Sequence, residues 1–111
     1  MRAVADLADH DSRAERRSAR ELIGRYHEEQ LGLLLAKVRD GFARLDAGDV
    51  DAFELDELIH HYQRSARALW KFCGQTGPGW VSAAKMLRYL KEQGEDLPDW
   101  WVVGAPRRRR P

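Results

Sequence analysis

No proline interrupts residues 12–47, and good helix formers dominate the stretch. About 35 residues at 1.5 Å each make a rod of roughly 50 Å. The next helical stretch, about 51–72, reaches only roughly 33 Å. Antiparallel pairing of the two about Gly48 leaves much of residues 13–25 without a hairpin partner. A chain of 111 residues is long enough for one core and too short for two. The overhang must therefore be covered by a third helix of the same chain or by a second copy.

The first helix carries two apolar stripes. Ala19, Leu22, Ile23 and Tyr26 form one; Leu31, Leu34, Val38, Phe42 and Leu45 form another, rotated from it. At 100° per residue, Leu33 and Leu35 point to nearly opposite sides. A helix that is apolar most of the way round is expected to be covered on more than one side. The expected partners are a second copy (a homo-oligomer, with a homodimer foremost) or another protein chain. The expected interface residues are Leu22, Ile23, Tyr26, Leu33 and Leu35, joined by Trp100 and Trp101.

The second helix has the clearest stripe, Leu55, Leu58, Ile59, Tyr62, Ala66, Leu69 and Cys73. "CGQTGPG", Cys73 to Gly79, breaks it, since glycine supplies positive φ and proline cannot continue a helix. A third helix is expected over about 79–93, ended by Gly94, with Ala83, Met86, Leu87 and Leu90 on its apolar side. Residues 95–106 read as an irregular or single-turn segment in which Asp99 caps a short turn. Of the adjacent Trp100 and Trp101, either one is exposed or docked on another subunit, or both fold back over the third helix. The fold class is all-α: a long antiparallel helical hairpin plus a shorter third helix, spanning 12–94, with an irregular C-terminal segment. Residues 1–11 are expected to form a flexible arm and 107–111 a basic tail. No run alternates apolar and polar residues in the manner of a strand.

"LDAGDVDAFELDEL", Leu45 to Leu58, places Asp46 and Glu57 at the first and last ligand positions of an EF-hand calcium loop. Such a loop needs oxygen ligands third and fifth and glycine sixth, where this chain has Gly48, Val50 and Asp51. A helix corner accounts for more of the residues. Gly48 suits the left-handed position after a helix end. Asp51 and Glu54 fit a capping box, with Val50 and Leu55 in the staple positions. Glu57 and His60 have the Glu-x-x-His spacing of di-iron bundles, but they lie opposite the apolar stripe, whereas such ligands point inward. The lone Cys73 excludes an intrachain disulfide and a cysteine-built zinc site. Serines lack nucleophile-elbow glycines, and "GQTGPG" lacks the lysine of a phosphate loop. No catalytic residues, no metal ligands and no cofactor are expected.

The net charge of +1 hides an uneven distribution. Of 19 basic residues four form Arg107–Arg110, leaving 15 against 18 acids elsewhere. From Leu58 to Lys91 there are six bases, two histidines and no acid. Arg64, Arg67 and Lys71 on the second helix, Lys85 and Arg88 on the third, and Arg107, Arg108, Arg109 and Arg110 in the tail are the candidate nucleic-acid contacts. The competing explanation is that bases late in a helix complement its dipole. The longest apolar run, "LGLLLA", falls far short of the roughly 20 residues of a membrane span. With no apolar signal core at the N-terminus and a single cysteine, the cytoplasm is the expected compartment.

The segments "LDAGDVDAFELDELIHHY" and "ALWKFCG" resemble small, uncharacterised, arginine-rich helical proteins of high-GC actinobacteria. The likeness covers the run from about Tyr26 to Cys73 and implies a bacterial helical protein, with no activity or residue role attached. The sequence is thus read as a non-enzymatic helical interaction module that binds a protein chain through an apolar helix surface. The alternative is a small nucleic-acid-associated factor using the basic stripes and tail.

Overall fold

The computed structural model describes the backbone of residues 2–74 and 76–106, with side chains from Arg13 onward. The described residues contain the helices α1 (Arg2–Asp46), α2 (Ala52–Cys73), α3 (Gly77–Glu92) and α4 (Trp100–Val103), in that order, joined by turns and irregular segments, with no strand among them. The long first helix packs against the second and third, so the all-α hairpin with a third helix is the architecture observed. The expected arm at 1–11 is helical backbone from Arg2, its side chains lying outside the described residues. The basic tail, 107–111, also lies outside them.

Local chemistry sets each boundary. α1 ends because Gly48 adopts φ +78°, a conformation that costs a residue with a β-carbon. The Gly48 amide then donates to the Leu45 carbonyl at 3.0 Å and the Asp49 amide to Arg44 at 2.9 Å, the paired bonds of a Schellman turn. α2 starts with the expected capping box: the Glu54 amide donates to Asp51 Oδ1 at 2.8 Å, and the Asp51 amide to Glu54 Oε1 at 3.1 Å. α3 starts at Gly77, two residues earlier than the sequence suggests, because Thr76 caps it and Pro78 fits its first turn. A second Schellman turn ends α3, the Glu95 amide donating to the Leu90 carbonyl at 2.9 Å.

The chain divides into two compact units. One comprises α1 as far as His27 together with Phe72–Leu97. Its buried residues are Ala19, Ile23, Cys73, Ala83, Ala84 and Leu87. The α1 overhang is therefore covered from within the chain, by the α3 segment. This corrects the interface assignment of Ile23, which is only 1% exposed and has no surface to offer a partner. It also shifts the expected α3 face. Ala84 is buried in place of Met86, which is 48% exposed, since the small pair Ala83–Ala84 is what the unit encloses.

The other unit comprises Glu28–Lys71 and the segment from Pro98. Leu34, Leu55, Ser65, Leu69 and Trp100 are buried in it. α1 and α2 approach closely at Gly41, where a β-carbon would come 2.9 Å from Leu55 Cδ1 and 3.3 Å from Leu58 Cδ2. Both tryptophans of α4 belong to this unit. Trp100, 6% exposed, is core and not interface, which corrects its assignment to the interface set.

Candidate functional site

α4 is held on α2 by three residues spaced i, i+3, i+4. His61 Nε2–H donates to the Trp101 carbonyl at 2.7 Å, and its ring stacks on the Trp101 ring with centroids 3.4 Å apart. Arg64 Nε–H donates to the Gly104 carbonyl at 2.9 Å. Ser65 lies directly beneath Gly104. From α1, Lys37 Nζ sits 5.8 Å from the centre of the Trp101 ring. Asp99 caps the short helix, its Oδ1 accepting from the Trp101 and Val102 amides at 3.1 and 3.3 Å.

These contacts close one side of the α1–α2 hairpin. Relative to the buried Leu34–Gly41 line of α1, Lys37 and Leu33 fall on the flank facing α4. Leu35 and Phe42 fall on the opposite flank. On α2, His61 and Ser65 lie to the α4 side of the Leu55–Leu69 line, and Ile59, Ala66 and Trp70 to the other. Because the helices are antiparallel, Leu35 and Phe42 share an uncovered side with Ile59, Ala66 and Trp70. There Leu35 is 47%, Phe42 48% and Trp70 51% exposed. Three large apolar side chains half in water on one helical side form an exposed row, not scattered surface hydrophobics.

On the α4 side, a cleft of about 510 Å³ runs between Gln30, Leu33, Lys37, Asp40 and Trp101. Leu33, 60% exposed, forms part of its wall. The expected interface set therefore splits. Leu33 and Leu35 are exposed on different flanks; Leu22, Tyr26 and Trp101 are half-buried, with the Tyr26 ring against Phe72 at 6.1 Å. Phe42 and Trp70 join the set from the structure. Phe42 was visible in the apolar stripe, but nothing in the sequence says which stripe residues α2 leaves uncovered.

The candidate nucleic-acid residues are dispersed between the units. Arg64 is committed to Gly104, whereas Arg67 and Lys71 are exposed on α2. In the other unit, Lys85 Nζ pairs with Glu15 at 3.8 Å and Arg88 is exposed. Arg107, Arg108, Arg109 and Arg110 lie outside the described residues.

A second cleft, about 670 Å³, brings Glu54, Glu57, His60 and His61 near Arg44 and Arg64. His60 Nδ1 is engaged locally, 2.8 Å from the Asp56 carbonyl. Among the described residues no three of His, Cys, Asp and Glu converge as metal ligands. Burial pushes the Cys73 thiol up to about 11, so at neutral pH it is a protonated packing group. No described helix is long and apolar enough to cross a membrane. No protein-family model, curated protein or solved structure matches the chain.

Proposed function

We propose that this protein is a helical interaction module that self-associates through the uncovered side of its α1–α2 hairpin. The row of half-exposed Leu35, Phe42 and Trp70 carries the reading. A second copy is the occupant that fits. Leu31, Leu35, Val38, Phe42 and Leu45 are spaced 4, 3, 4, 3, the seam pattern that packs against another helix. Two hairpins joined along such seams make a four-helix arrangement, and a two-fold axis lets one patch serve both copies. Charge agrees: antiparallel pairing about Leu35 sets Glu28 of one copy within about a turn of Arg39 on the other.

Leu35→Glu and Phe42→Glu test the site. Each is expected to return the assembly to single chains while far-ultraviolet circular dichroism stays helical. Phe53→Glu, at a position 83% exposed near the hairpin corner, is expected to leave the assembly intact. Equal loss from all three substitutions, or from none, argues against this interface.

The second reading, a nucleic-acid-associated factor, is supported by exposed Arg67 and Lys71 four residues apart on α2. The engagement of Arg64 with Gly104 and of Lys85 with Glu15 weighs against it. Salt separates the two, since phosphate contacts weaken steeply with added salt and an apolar helix interface does not.

A further inference from the structure

The sequence "RAERRSAR" places Arg13, Arg16, Arg17 and Arg20 at i, i+3, i+4 and i+7, one face of α1. Three of them, Arg16, Arg17 and Arg20, line a cleft of about 460 Å³ whose other residues are Gly77, Pro78 and Trp80 from the start of α3. Every lining residue belongs to the unit built from the first part of α1 and Phe72–Leu97. Among the described residues no carboxylate lines the cleft, and Glu15 is within 3.8 Å of Lys85 Nζ.

Two of the arginine side chains lie against the α3 residues of the cleft. Arg20 lies over the Trp80 ring, its guanidinium carbon 5.2 Å from the ring centre. Arg16 runs its side chain against Gly77, where a β-carbon would collide with Arg16 Cδ. The same wall is the first turn of a 16-residue helix, whose dipole adds partial positive charge. Planar guanidiniums bind phosphate oxygens in bidentate fashion.

We infer that this cleft binds the di- or triphosphate moiety of a small molecule, with Arg17 and Arg20 as the phosphate-binding residues. Arginines grouped on one short stretch of α1 suit a compact anion, whereas an extended nucleic-acid backbone needs a continuing row of bases. The site lies in a different unit from the proposed self-association row and does not rest on that reading.

Titration calorimetry of the full chain tests it with pyrophosphate, tripolyphosphate and ATP at physiological salt. Saturable one-to-one binding is expected. Comparable affinity for tripolyphosphate and ATP assigns recognition to the phosphates alone, and tighter ATP binding adds the nucleoside to the ligand. Arg17→Gln and Arg20→Gln are each expected to weaken binding about tenfold, the loss of one charge-assisted contact. Arg67→Gln, in the other unit, controls for net charge and is expected to change nothing. The proposal is overturned by an absence of saturable binding, by an equal effect of Arg67→Gln, or by duplex DNA binding that outcompetes tripolyphosphate and is lost in the same two variants.

Discussion

Gly104 lies flush against Ser65: a β-carbon built on the glycine would stand 2.6 Å from Ser65 Cα and 2.5 Å from its amide nitrogen. The obstacle is the α2 backbone, so a side-chain rotation cannot relieve it. Gly104→Ala is therefore expected to destabilise the chain by about 1–3 kcal/mol, the range for overpacking a tight contact. Urea denaturation reads this as a lower midpoint. Adding Ser65→Ala is not expected to restore it, because the backbone atoms remain.

Ser65→Ala alone points the other way. The Ser65 hydroxyl is fully buried and has no hydrogen-bond partner among the described residues. Burying a hydroxyl unpaired costs free energy that alanine avoids. The variant is expected to gain about 1 kcal/mol in the same denaturation experiment. A loss of stability would show that the hydroxyl has a partner in solution.

His61 contributes both a hydrogen bond and a stacked ring to the α4 attachment. His61→Ala is expected to cost about 2 kcal/mol, and His61→Phe about half as much because it keeps the stack. Equal costs for the two would remove the ring stack on Trp101 from the explanation, since both variants lack the hydrogen bond.

Cys73 gives a pH signature. Below its ordinary value of 9.0, the thiol is protonated in the folded and unfolded chain alike, so its ionisation leaves stability unchanged. Above that, the unfolded thiol ionises while the buried one keeps its proton to about 11, so stability falls as pH rises between the two values. Native Cys73 is correspondingly expected to react slowly with iodoacetamide near pH 8 and rapidly once urea unfolds the chain. Cys73→Ala should flatten that part of the pH profile.

The helices were legible because their punctuation is local. Gly48, the Asp51–Glu54 pair, Asp99 and Gly94 each act within a few residues, and each does in the structure what its spacing implies. The pairing of faces was less legible. Ile23 and Leu35 look alike in sequence, yet one is core and the other half in water, because only tertiary packing decides what covers each stretch of α1. Ser65 reads as an ordinary polar helix residue; its burial depends on Gly104, distant in sequence. The arginine cleft was missed for a related reason. "RRSAR" carries a helical stripe, but the α3 residues that make it concave lie more than fifty positions further on.

Self-association through Leu35, Phe42 and Trp70 stands or falls on the molar mass of the intact chain, measured by light scattering along a dilution series. The mass is expected to rise towards twice 12.8 kDa with concentration, and to remain at 12.8 kDa for Leu35→Glu throughout. A natural chain that stays at 12.8 kDa at every concentration would contradict it.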